Sequence, residues 1–128
     1  MDGLLNVTLA FAKDQLEKRG EFLPFGSVVT GDGETKFLAS YSGEQGATSR
    51  DLLEMLVQGA REQASSYRAV AIVADALIEG KRDAVRIDIE HRDGNAISIA
   101  LPYSKRRLGR GIDYGEMIAA EGVRRIWM

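Results

Sequence analysis

Three consecutive stretches between Ala69 and Tyr103 carry the patterns of antiparallel β-strands, and they constrain the fold more than any other part of the chain. Apolar and charged residues alternate from Val85 to Glu90, which is the period-two pattern of a strand with one buried face. The same alternation recurs from Asn95 to Tyr103, after the turn sequence Arg92-Asp93-Gly94. These patterns predict an antiparallel hairpin whose apolar residues share one face.

The length of the turn decides the register of this hairpin. A two-residue loop at Asp93 and Gly94 would place apolar residues opposite polar ones. A three-residue loop that ends on a left-handed Gly94 instead places apolar residues opposite each other. The predicted cross-strand pairs are Ile89 with Ile97, Ile87 with Ile99 and Val85 with Leu101.

The stretch from Val70 to Ile78 is apolar on nearly both faces, which is typical of a central strand. If residues 80–83 form a four-residue loop, Ile78 lies opposite Val85. The same register pairs Ala76 with Ile87, and it sets Asp75 opposite Asp88. On that register Asp75, Asp88 and Glu90 form one acidic group on a single face of the sheet.

The remaining chain predicts two helices and a second hairpin. Apolar residues recur at helical spacing from Leu5 to Leu16, and Gly20 marks the end of that helix. Strand patterns over 25–30 and 35–41 flank a turn at residues 31–34. Thr48 or Ser49 caps the second helix. The segment from Tyr114 to Trp127 is compatible with a short helix, an extra strand or an arm.

These elements predict an α+β protein with a five-stranded antiparallel sheet and two main helices, in the order α-β-β-α-β-β-β. A chain of 128 residues fits one domain, residues 1–128. The order of elements resembles that of roadblock and profilin-type domains, in which helices pack against a five-stranded antiparallel sheet. Topology alone transfers no function.

Three short motifs carry a second resemblance. Gly20-Glu21-Phe22-Leu23-Pro24-Phe25-Gly26, Glu90-His91-Arg92-Asp93-Gly94 and Leu101-Pro102-Tyr103 are similar to a set of small uncharacterised bacterial proteins. The resemblance implies a bacterial source and a compact α+β domain. It implies no activity, and it transfers no catalytic residue.

Composition excludes several classes of function. The net charge is −2 with both signs interspersed, so no overall field favours nucleic acid or an anionic membrane. The absence of cysteine excludes disulfides, thiolate nucleophiles and cysteine-ligated metals. The N-terminus lacks the basic region of a signal peptide, and no apolar run approaches the ~20 residues that span a bilayer. We therefore expect a soluble, cytoplasmic protein.

Four residues are candidates for a ligand site. His91 is the only histidine, and an imidazole suits general acid–base work near neutral pH, although a partly buried structural histidine is commoner. Grouped carboxylates at Asp75, Asp88 and Glu90 would repel each other unless a cation or nearby arginines neutralise them. The sequence predicts no catalytic residue, no metal-ligand set and no cofactor.

A second candidate is the basic run that contains Lys105, Arg106, Arg107 and Arg110. Such a cluster can bind the phosphates of nucleic acid or of a nucleotide. It has no interleaved aromatic residues, so a solvated loop is the better interpretation and nucleic-acid binding is not favoured. Phe22, Phe25 and Phe37 are interpreted as core packing.

The favoured function is therefore a non-catalytic interaction or structural protein. It would form a homodimer, or bind another protein, through a sheet edge, a sheet face or the apolar tail that ends at Trp127 and Met128. The alternative is a small-molecule or divalent-metal binder, or an enzyme, that uses the acidic group and His91. Enzymatic activity is the less favoured of the two.

Overall fold

An antiparallel sheet with one helix on each face forms the frame of the computed structural model, which describes residues 2–39, 48–106 and 111–127. Helix α1 spans Asp2–Arg19 and α2 spans Ser49–Glu62, followed by a short 3-10 turn, Ala64–Ser66. The strands are β1 (Phe25–Thr30), β2 (Thr35–Ala39), β3 (Tyr67–Ile78), β4 (Arg82–His91), β5 (Ala96–Lys105), β6 (Ile112–Tyr114) and β7 (Ile118–Glu121). The predicted α+β class, with two helices and an antiparallel sheet, is confirmed.

The predicted count of five strands is wrong. The strand order is β2-β1-β3-β4-β5-β6, and β7 also pairs with β5. Both short strands follow residue 111 and lie along the same edge of β5, where Gly115 interrupts them and donates its N–H to the carbonyl of Pro102 at 2.8 Å. The segment that the sequence left open is thus an interrupted edge strand followed by a docked chain end.

Each face of the sheet buries its own apolar cluster, as expected from the two-sided pattern of β3. Ala71 and Val73 point to the side of α1, whereas Val70 and Ile72 point to the side of α2. The α1 side also contains Leu4, Leu9, Ala12, Leu16, Phe25, Val85, Ile87, Ile89, Ile99, Leu101 and Tyr103. The α2 side contains Val28, Leu56, Ala60 and Ile126. Burial of these side chains from water provides the main driving force for folding.

Both helices begin or end where the sequence indicates. Gly20 takes a left-handed φ of 77°, which favours glycine, and its N–H donates to the carbonyl of Leu16 at 2.8 Å. The N-cap of α2 is Thr48, whose hydroxyl accepts from the Asp51 N–H at 3.1 Å while the Asp51 carboxylate accepts from the Thr48 N–H at 3.1 Å. This reciprocal pair is a capping box.

The two predicted registers have different outcomes. The β4–β5 pairs of Ile89 with Ile97, Ile87 with Ile99 and Val85 with Leu101 are confirmed. The β3–β4 register is wrong, because Ile78 pairs with Arg82 and Asp75 with Val85. The loop is residues 79–81, in which Glu79 and Gly80 both adopt positive φ values, of 54° and 74°. A left-handed glutamate is uncommon, so the sequence does not signal this turn.

Candidate interaction surface at the sheet edge

The structure does not bring the predicted acidic group together. Asp75 pairs with Val85 and points to the α1 side, whereas Asp88 and Glu90 pair with Ile72 and Val70 and point to the α2 side. Within the described ranges, no three His, Cys, Asp or Glu side chains are placed to hold a metal ion. Asp88 and Glu90 line one small cavity on the α2 side, whereas Asp75 lies on the other face of the sheet. A ligand-binding role for Asp75, Asp88, Glu90 and His91 stays a prediction.

Asp75 is bound to a tyrosine instead of a second carboxylate. The hydroxyl of Tyr103 donates to Asp75 Oδ1 at 2.6 Å in a partly buried position. Burial raises the pKa of the Asp75 carboxyl, and the Tyr103 hydrogen bond opposes that rise. Burial and the neighbouring Asp75 both raise the pKa of Tyr103. The pair joins β3 to β5 across β4.

The raised pKa of Asp75 makes its contribution to stability depend on pH. The folded state binds the Asp75 proton more tightly than the unfolded state, so the free energy of unfolding falls as the pH rises from the unfolded pKa, near 3.8, through the raised folded pKa. Asp75→Asn removes this titration and keeps an oxygen that accepts the Tyr103 hydroxyl. We expect the variant to gain stability relative to the wild type across that pH range. Urea unfolding at several pH values measures the difference, and a difference that is constant with pH would contradict the prediction.

Glu90 is a buried structural anchor, with 5% of its surface exposed. Its Oε1 accepts the backbone N–H groups of Arg125 at 2.6 Å and Ile126 at 3.0 Å. Its Oε2 accepts those of Ile126 at 3.2 Å and Trp127 at 2.6 Å. Backbone donors around one carboxylate satisfy the buried charge. Glu90 therefore holds the chain end on the sheet.

Of the two arginines near the predicted acidic group, Arg86 and Arg92, one binds a member of that group and the other does not. Arg86 pairs with Asp88, with Nε 3.2 Å from Oδ2, at a largely exposed position. Arg92 donates to the carbonyl oxygens of Ala64 and Ser65 after α2. Only the Asp88 pair agrees with the sequence-based expectation.

His91 lies at the end of β4, in the turn that leads to β5. Its Nδ1 accepts the Asp93 N–H at 3.2 Å and lies 3.1 Å from Asp93 Oδ1. The Asp93 carboxylate also accepts the Asn95 N–H at 3.1 Å. These contacts give His91 a role in shaping the turn.

The basic run is only partly described. Lys105 ends β5, and Arg106 Nε lies 3.0 Å from Asp113 Oδ1 in an exposed ion pair. Arg107 and Arg110 lie outside the described residues. Phosphate binding by these four residues therefore stays a prediction.

The most extensive aromatic surface lies beside β2. Phe37 is 47% exposed and Phe11 of α1 is 38% exposed, and their ring centroids are 4.9 Å apart. Phe25 is buried beneath them, 4.9 Å from Phe11, and Phe22 lies 5.8 Å from Phe25. The core assignment is confirmed for Phe25 and wrong for Phe37. Phe11 was not recognised, although Val7 and Phe11 lie one turn apart on a stripe of α1 and both are exposed.

The outer edge of β2 presents backbone groups as well as apolar side chains. In the described part of the chain, β2 pairs only with β1. Thr30 donates its N–H to the carbonyl of Glu34 at 2.8 Å, which fixes the alternation of bonded and non-bonded pairs along this hairpin. The N–H and C=O groups of Thr35, Phe37 and Ala39 consequently point away from β1.

A groove of about 300 Å³ lies between the second half of α1, residues 22–25 and the end of β2. Its walls include Phe11, Phe22, Leu23 and Phe37, and Gln15 and Arg19 supply polar groups. Exposed rings, a free strand edge and a groove coincide here. They make this edge the best candidate for a binding surface.

No helix in the described ranges has the length and apolar character needed to cross a membrane. The resemblances based on element order and short motifs stay predictions, because comparison with known proteins adds nothing to them. No protein-family model, curated protein or solved structure matches this chain.

Proposed function

We propose that the chain is a non-catalytic interaction protein of the bacterial cytoplasm that forms a homodimer through the outer edge of β2. The observation that carries this proposal is the coincidence of backbone groups at Thr35, Phe37 and Ala39, which no other described strand pairs, with the exposed rings of Phe11 and Phe37. Free strand edges readily pair with another strand, and exposed apolar patches mark interaction sites.

The outward-facing groups fit a symmetric register centred on Phe37. A two-fold axis at Phe37 makes this residue exchange both backbone hydrogen bonds with Phe37 of the partner subunit. Thr35 then exchanges both of its bonds with the partner subunit's Ala39. A register centred on Lys36 would also use these outward-facing groups, pairing Thr35 with the partner subunit's Phe37, but it would set two ammonium groups directly opposite each other.

In that register, the side chains that face each other across the interface are also compatible. Lys36 lies opposite the partner subunit's Leu38, and no like charges face each other within Thr35–Ala39. On the α1 side, Phe11 and Phe37 pack against Phe11 and Phe37 of the partner subunit. The pairing removes exposed aromatic surface from water and extends the sheet across the dimer.

The opposite edge of the sheet is a poorer candidate. Met117 and Ile118 are exposed there, but Gly115 interrupts the strand between β6 and β7. An interruption of this kind hinders continuous pairing with another strand. The continuous, fully paired hairpin of β1 and β2 therefore favours the β2 edge.

Phe37→Asp tests the proposed interface. We expect the wild type to sediment as a dimer and the variant to dissociate, with a dissociation constant raised at least about thirtyfold, because a charge replaces a central aromatic residue. Leu77→Asp is the matched control, since Leu77 is 62% exposed on β3, away from the β2 edge. Analytical ultracentrifugation gives the masses, and circular dichroism verifies the fold.

Three results would contradict the proposal. They are a monomeric wild type over the whole concentration series, a Phe37→Asp variant that remains a dimer, and a control that dissociates as readily as Phe37→Asp. Dissociation by Ile118→Asp, with Phe37→Asp still dimeric, would place the interface at the opposite edge.

A further inference from the structure

The groove beside β2 combines apolar walls with one charged side chain. Phe11, Phe22, Leu23 and Phe37 provide the apolar surface, and Leu23 is one of the most exposed apolar residues described. Among the described residues that line the groove, Arg19 is the only charged one. Small-molecule sites typically have this composition, with a mostly apolar wall and a few polar groups that fix orientation.

Arg19 is exposed at the end of α1. The described residues form no ion pair with it, whereas the adjacent Lys18 pairs with Asp14 at 3.2 Å. A basic residue in the last turn of α1 interacts favourably with the helix dipole, and Lys18 and Arg19 share that role. Arg19 differs from Lys18 in its position beside the aromatic groove.

We propose that this groove binds a small monoanionic ligand, a carboxylate with an apolar aliphatic or aromatic body. The apolar body would lie against Phe22, Leu23 and Phe37, and Arg19 would bind the carboxylate. A guanidinium matches both carboxylate oxygens with parallel N–H groups, which a lysine ammonium cannot do. Gln15 adds an amide donor on the same wall.

The size of the groove limits the ligand. A volume of about 300 Å³ lies at the lower end of the range for small-molecule sites. It therefore favours a medium-chain fatty acid or a small aryl-alkanoic acid over a dinucleotide or a long lipid. Among the described lining residues, no second cation accompanies Arg19 to bind a polyanion.

Binding of octanoate, compared with its neutral analogue octanamide, tests the site. Titration calorimetry should show that the wild type binds octanoate more tightly than octanamide. Arg19→Gln should weaken octanoate binding at least about tenfold and leave octanamide binding unchanged, because only the charge-assisted bonds are lost. Lys18→Gln, which changes the adjacent charge outside the groove, should bind octanoate like the wild type.

A second variant tests the apolar wall. Leu23→Asp places a carboxylate in the groove at an exposed position, so it should abolish octanoate binding without unfolding the chain. The site is refuted if the wild type fails to bind octanoate or binds both compounds equally. An equal loss in Lys18→Gln and Arg19→Gln would also refute it, since it would indicate a diffuse charge effect.

This inference goes beyond the proposed homodimer, although both involve Phe37. Sedimentation reports the dimer, and calorimetry with Phe37 intact reports the ligand. A monomer that binds octanoate would refute only the dimer. A dimer that does not bind octanoate would refute only the ligand site.

Discussion

Replacing Glu90 with alanine is expected to lower the free energy of unfolding by about 3 kcal/mol and to release the chain end from the sheet. The carboxylate accepts the N–H groups of Arg125, Ile126 and Trp127, and it is buried between the sheet and that segment. Alanine leaves these donors without acceptors, and each buried unsatisfied group costs about 1–3 kcal/mol. Release of the segment lets water reach the donors, which limits the total.

Urea unfolding measures the loss, and amide hydrogen exchange locates it. We expect lost protection at residues 125–127 in Glu90→Ala, with strands β1 and β3 still protected. Asp88→Asn is the matched control, because Asp88 points to the same side of the sheet but is only partly buried, and among the described residues it pairs with Arg86. Its effect should stay within about 0.5 kcal/mol. Equal effects of the two variants would show that Glu90 has no special role.

Glu90→Gln separates charge from shape. The amide keeps an oxygen acceptor but turns an NH₂ group towards backbone N–H donors. We therefore expect this variant to be destabilised as well, by less than Glu90→Ala. Wild-type stability in Glu90→Gln would mean that the charge of Glu90 contributes nothing to holding the chain end.

How far the sheet could be predicted depended on how each strand is buried. In β4 and β5, apolar and polar residues alternate, so only one register pairs Ile87 with Ile99. Strand β3 is apolar on both sides, so sliding it against β4 changes little in the sequence pattern. Its register depends on the turn, where Glu79 takes an unpredictable left-handed conformation.

The candidate surface was missed for a similar reason. Phe37 lies in a strand with a good apolar pattern, and the pattern does not tell whether that strand is central or at an edge. The strand order decides this, because β2 has one neighbour and β3 has two. The position of Arg19 beside the rings likewise follows from how α1 packs over β1 and β2, which spacing along the chain does not reveal.

The binding partners of Glu90 also could not be predicted from the sequence, for a different reason. The alternation along β4 correctly predicts that Glu90 points to the same side as Asp88. The partner then expected for its carboxylate is an arginine side chain or a cation. The structure neutralises Glu90 with backbone N–H groups of the chain end. Every residue except proline carries such a donor, so a sequence gives no sign of this kind of partner.

Deleting residues 114–128 is expected to abolish cooperative folding. The deletion removes β7 from the edge of β5, Ile126 from the α2-side cluster and every backbone donor to Glu90. The newly exposed apolar surface and the hydrogen bonds lost at β5 and at Glu90 together cost at least about 4 kcal/mol. That is a large part of the total stability of a typical domain.

Thermal unfolding and the chemical-shift dispersion of the NMR spectrum of the truncated chain measure this outcome. Val123→Ser is the matched control variant. Val123 lies in the same segment but is 72% exposed, so its replacement should leave the unfolding midpoint unchanged. A truncated chain that kept a sharp, native spectrum and lost only its dimeric mass would contradict both this prediction and the proposed β2-edge dimer. It would show that the chain end forms the interface, and that the free edge of β2 does not.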